Sequence, residues 1–219
     1  MADWKQHARR EEERYRDGER RLPTTGDPDA RQRQLTRMGN AAAGTALAEL
    51  MDGNTDSALE WFARAAQRYR ESYADAPPAS WGRPIGILKA RLLAGDWENA
   101  AVDAHWTLEQ DAAAAASPIG RYAACLAFLI LGRDEEARPI ADGLRTNADF
   151  PAEVGDALAT IAAHDPLGYS EAIEAVLESF ERRDEYLEDL PVADTVMVLQ
   201  ALAERRDMAA VLTSPLLPA

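Results

Sequence analysis

Three times along this chain a glycine is followed five residues later by an alanine: Gly53 and Ala58, Gly95 and Ala100, Gly132 and Ala137. Each pair lies between two apolar stretches with helical spacing, as in LAELMDGNTDSALEWFARAA and ARLLAGDWENAAVDA. A glycine there supplies the left-handed residue on which one helix ends before the next begins. The glycines recur 42 and then 37 residues apart, within the range of periods that marks stacked helical hairpins. Alternation of the kind a half-buried strand requires is absent, so the chain reads as all-α.

The rest of the sequence follows that reading from Asp29 onward. Leu35, Met38, Ala42, Ala46 and Leu50 keep helical spacing up to Gly53-Asn54. Ala58, Phe62 and Ala65 then face inward on a helix opened near Thr55 or Asp56 and ended by Pro77-Pro78. Residues 83–94 end at Gly95, after which Asp96 caps the next helix. Residues 117–131 end at Gly132 and 134–144 follow. Pro151 opens a helix running to about His164, and residues 168–182 and roughly 192–212 complete about ten to eleven helices. The run RYAACLAFLIL, residues 121–131, is apolar nearly all round, as in a helix buried on every side.

The first 37 residues stand apart. They hold ten basic and eight acidic residues, so this arm is about +2 while the net charge of the whole is −14. Residues 3–20 read as a charged helix with Trp4, Ala8 and Tyr15 on a thin apolar stripe, broken by LPTTGDPD at 22–29. The expected organisation is a charged arm or capping helix over 1–28 and a helical-repeat domain over 29–219.

An acidic balance of this size repels phosphate backbones and anionic membranes, so neither nucleic acid nor a membrane is an expected partner. No apolar run approaches the roughly 20 residues that span a bilayer, and the opening residues lack the apolar core of a secretory leader. Cys125 is the lone cysteine, which excludes an intrachain disulfide and fits a reducing cytoplasm. Lysine appears only as Lys5 and Lys89 against 22 arginines. That exchange, with the acidic surplus, looks like a salt-adapted (halophilic) or GC-rich proteome.

The hairpins resemble tetratricopeptide-type repeats, in which small residues let the two helices of a pair approach closely. In this chain that role would fall to Ala46 and Ala58, Ala100 and Ala104, and Ala137 and Ala141, with Phe62 wedged between neighbouring pairs. The resemblance covers about residues 40–212 and implies an α-solenoid or a closed helical-repeat bundle. The spacings exceed the family's usual period, and most of the aromatics expected on each first helix are missing. Its peptide-binding members carry a polar, basic first-helix face. The matching positions here (Leu47, Leu50, Ile85, Lys89, Leu92, Tyr122, Leu126 and Leu129) are mostly aliphatic, so something is expected to cover them. The tail, DTVMVLQALAERRDMAAVLTSPLLPA, more loosely resembles the all-α polymorphic-toxin immunity family numbered forty-nine. Membership there would imply a protein that neutralises a toxin.

Catalytic spacings are missing: no phosphate loop ending in Lys-Ser or Lys-Thr, no HExxH and no GxSxG. His105 and His164 read as packing or capping residues. Asp134-Glu135-Glu136 opens a helix, where carboxylates favour the positive end of the dipole, so no metal or other cofactor is expected. The candidate site is Lys89, Arg91 and Arg121 with Tyr122, polar groups on otherwise apolar central helices that would form an anion or carboxylate site if they converge. The expected function is a non-catalytic scaffold that binds a protein partner, or itself, through the apolar first-helix face. The alternatives are toxin immunity, and a small-ligand binder or enzyme with an anion pocket near Lys89, Arg91 and Arg121.

Overall fold

The computed structural model describes residues 3–22 and 26–218. Among them lie ten α-helices and no strand: α1 (Trp4–Arg21), α2 (Pro28–Met51), α3 (Thr55–Tyr73), α4 (Gly82–Leu93), α5 (Trp97–Glu109), α6 (Pro118–Ile130), α7 (Asp134–Arg145), α8 (Ala152–Ala163), α9 (Pro166–Glu181) and α10 (Asp194–Glu204). The fold is all-α, built of stacked antiparallel hairpins. Part of the expected break after α1, residues 23–25 of LPTTGDPD, lies outside the described residues, as does the final Ala219 of the tail motif.

The three glycines of the recurring pairs hold positive φ, at 83°, 65° and 67° for Gly53, Gly95 and Gly132. A Cβ would be strained there, which is why glycine ends these helices. Ala58, Ala100 and Ala137, five residues on, have no solvent exposure. Caps complete the ends: the carboxylate of Asp96 accepts from the Asn99 amide at 3.3 Å, and Ser117 Oγ accepts from the Gly120 amide at 3.1 Å.

The contacts divide the chain into two compact units. The first comprises Met1–Ala94, Glu185–Val192 and Leu217–Ala219; the second comprises Gly95–Asp184 and Ala193–Leu216. In the first, α1 packs on α2, α2 on α3 and α3 on α4. The apolar side of α1 is buried at Ala8 and Tyr15, with the Tyr15 ring edge-on to Trp61 of α3 at 5.2 Å. Trp4 packs against Ala8, Ala48 and Leu190. Tyr69 of α3 fits between Gly39 of α2 and Gly86 of α4, where a Cβ on either glycine would lie 2.7 Å from its ring. Its hydroxyl donates to Asn40 Oδ1 at 3.0 Å.

In the second unit each of α5 to α9 packs on the next, and α10 packs on α8 and α9. Residues 122–130 of α6 are all buried, as the uninterrupted apolar run predicts. The last helix is shorter than its periodicity predicts. It ends at Glu204 rather than near residue 212, because Asp207 turns left-handed (φ 56°) and the Met208 amide bonds back to the Ala203 carbonyl at 3.0 Å. The tail beyond is irregular and held by side chains. Gln200 donates to the Ala210 carbonyl and accepts from its amide, and Ser214 donates to Glu181 at 2.7 Å. No helix among the described residues is long and apolar enough to cross a membrane.

Candidate functional site: a charged groove on the second unit

The aliphatic positions expected to form a binding face are covered to different degrees. Leu92, Leu126 and Leu129 are buried, and Leu47, Leu50 and Ile85 are half-buried. The large apolar side chains that are exposed, Leu59, Val102, Ile119, Leu167 and Val211, are scattered through the sequence. Isolated apolar residues of this kind are ordinary for a protein surface.

Of the four candidate anion ligands, Lys89 and Arg91 lie on α4 in the first unit, both half-buried. Arg121 and Tyr122 lie on α6 in the second. Arg121 donates from Nη2 to the Ala116 carbonyl at 3.3 Å, while its Nε is buried without a hydrogen-bond partner. The Tyr122 hydroxyl is also buried and unpartnered, its ring tilted against Phe150 at 5.4 Å. Burial, and then the nearby Asp194 carboxylate, push the Tyr122 phenol well above its ordinary range, so it stays neutral.

Two polar clusters appear that the sequence does not announce. In the first unit Glu11 has no solvent exposure, although it sits on the most charged helix of the chain. It accepts from Arg10 at 2.8 Å and Arg14 at 2.6 Å, and Arg14 reaches on to Glu188. Glu188 in turn accepts from Asn40 at 3.2 Å. Gly44 makes room for Glu11, since a Cβ there would lie 3.0 Å from its side chain. Burial pushes the Glu11 carboxyl above its ordinary 4.5, more than the two arginines pull it down, and Glu188 adds to the rise.

In the second unit Asp134, on the first turn of α7, pairs with Arg206 beyond the end of α10. His164 Nε2, at the end of α8, lies 2.7 Å from the same carboxylate. Arg206 also donates to the Leu129 carbonyl at 2.9 Å and the Leu202 carbonyl at 2.8 Å, capping the ends of α6 and α10. Burial raises the Asp134 carboxyl, but the bonds and charges of Arg206, with those of His164, hold it below the ordinary 3.8.

These shifts have opposite consequences for stability. A raised folded-state carboxyl costs stability when ionised, and the cost is relieved as pH falls through its folded value towards 4.5. A depressed carboxyl stabilises above 3.8 and loses that contribution as pH falls through its folded value. Denaturation midpoints between about pH 7 and pH 3 should therefore rise less on mild acidification in Glu11→Gln than in the parent, and fall less at the acid end in Asp134→Asn. Parallel profiles for all three proteins would contradict both assignments.

A concave feature with mixed chemistry is a groove of about 490 Å³ across α7, α8 and α9 of the second unit. Small residues along it (Ala159, Ala163, Gly168, Ala172 and Ala175) leave the space open. Around them stand five carboxylates, Asp142, Glu153, Asp156, Asp165 and Glu171, against the guanidinium groups of Arg138 and Arg145. Arg145 is engaged by Asp156 at 2.8 Å and Asp142 at 3.8 Å, and Asp165 caps α9 by accepting from the Gly168 amide at 3.0 Å. Glu153 and Glu171 have no ion-pair partner among the described residues. None of these positions was expected to form a site. The only signal was the alanine content of α8 and α9, which reads equally well as ordinary helix packing. Among the described residues no three of His, Cys, Asp and Glu lie together as a metal site requires.

No known protein family, curated protein or solved structure matches this chain.

Proposed function

We propose that the chain is a non-catalytic helical-repeat protein of tetratricopeptide-like build that works by binding a protein partner. The groove over α7, α8 and α9 carries this reading. It spans three consecutive helices, is lined by small residues and is rimmed by charge, which suits an inserted segment of another protein better than a small apolar ligand. Toxin immunity is one form such binding could take, and the loosely similar tail points that way. The buried lone cysteine and the acidic, arginine-rich composition suit a cytoplasmic protein of a salt-adapted source.

Capture from a lysate of the source organism tests the reading, run beside the variant Ala163→Trp/Ala175→Trp. Both alanines line the groove and are exposed, so tryptophan fills the space without entering the core. A partner retained by the parent and lost by the variant at equal helicity is the expected result. Equal retention, or no partner at all, would remove the groove from the function.

A small-ligand reading rests on one observation: Arg121 Nε and the Tyr122 hydroxyl are buried without partners. Unpaired buried polar groups cost about 1–3 kcal/mol each, a cost that an anion or carboxylate bound to them would relieve. Thermal shift with inorganic phosphate and with acetate checks this. A shift abolished by Arg121→Met favours it, and none in the parent ends it.

A further inference from the structure

We infer that the groove over α7, α8 and α9 receives a basic, lysine- or arginine-bearing segment of its partner. The inference rests on the protein-binding reading above and adds the chemistry of what binds. Its ground is charge complementarity in a concave site. Five carboxylates line the groove against two guanidinium groups, and one of these, Arg145, is already held between Asp142 and Asp156. That leaves Glu153 on the first turn of α8 and the exposed Glu171 on α9 to meet incoming cations.

The lining suits such a side chain along its length. Ala159 and Ala172 are nearly buried and apolar, giving the aliphatic stem of a lysine or arginine a surface to lie on while its head reaches a carboxylate. The chain's net charge of −14 would steer a basic segment towards it from a distance. An acidic segment would instead face unpaired like charge, which is how a rim of this kind selects its partner. Arg138, exposed on α7, is the one cation of the lining without an ion-pair partner among the described residues, so it sets where along the groove a carboxylate of the partner is tolerated.

The test uses the full chain and two labelled twelve-residue peptides, one alternating lysine with alanine and one alternating serine with alanine. Fluorescence anisotropy is read at about 0.1 M salt, where charges more than roughly 10 Å apart are largely screened. The basic peptide should bind and the neutral one should not. The double reversal Glu153→Lys/Glu171→Lys should weaken binding by at least about tenfold, or about 1.4 kcal/mol. Reversing two exposed carboxylates of the first unit instead, Asp56→Lys/Asp75→Lys, changes net charge equally and should weaken it by less than about threefold, as expected of screened charges.

Equal weakening by the two double variants would mean diffuse attraction and would overturn the proposal. So would a groove that engages a second copy of the chain, seen as a dimer in light scattering that Ala163→Trp/Ala175→Trp dissociates. If the basic peptide fails to bind while lysate capture remains sensitive to the tryptophan variant, the protein-binding reading stands and the basic occupant is wrong.

Discussion

Replacing Arg206 with alanine is expected to cost the second unit about 3 kcal/mol, towards the low end of what is lost when one partner of a buried ion pair is removed. Three losses coincide. Asp134, whose side chain keeps only 17% of its surface in solvent, loses its main counter-charge, and Arg206 itself is 6% exposed. The Leu129 and Leu202 carbonyls lose the donor that reaches both from one guanidinium group. The His164 contact at 2.7 Å remains, which keeps the figure near 3 rather than 5 kcal/mol. The double variant Asp134→Leu/Arg206→Met should recover much of the loss, because an apolar pair leaves no buried charge behind.

Cys125 supplies the readout. It is fully buried in the same unit, and burial pushes its thiol up to about 12, so it reacts only when that unit opens. A loss of 3 kcal/mol should raise its native-state labelling rate by about a hundredfold or more. An unchanged rate in Arg206→Ala would mean that the ion pair holds nothing together.

The same residues show what the sequence made legible. The glycine-alanine spacing located the turns because a positive φ and a close helix contact are local demands, each met by one residue type. The burial of residues 122–130 was legible for a similar reason, since nine consecutive small or apolar residues offer water nothing to solvate. The Asp134–Arg206 pair spans 72 residues, and neither partner looks unusual beside its chain neighbours. The same holds for Glu11, which differs from Glu12 and Glu13 only in the face of α1 it occupies. The short α10 was misread because its apolar spacing continues through Met208 and Val211, while the tail's bonds to Gln200 and Glu181 depend on tertiary placement. The groove was invisible for a further reason. Alanine at helical spacing is the same signal whether the helix is covered or left open.

That ambiguity of small residues makes the second large effect a contrast between two glycines on one helix pair. Gly143 on α7 has nothing within 4 Å of where a Cβ would go. Gly143→Ala should stabilise by about 0.5–1 kcal/mol, the difference in helix propensity. Gly155 on α8 faces the backbone of Arg145, whose Cα and amide nitrogen would lie 2.5 Å from its Cβ. Backbone cannot swing aside as a flexible side chain can, so the two helices must separate. The propensity gain of about 1 kcal/mol is then outweighed by overpacking, which costs about 1–3 kcal/mol or more. Gly155→Ala should therefore lose about 1–2 kcal/mol net and raise Cys125 labelling about tenfold. Because Arg145 and Asp156 flank this contact and line the groove, the separation should also weaken the partner binding proposed above. Stabilisation by both substitutions would place α7 and α8 farther apart than the structure has them.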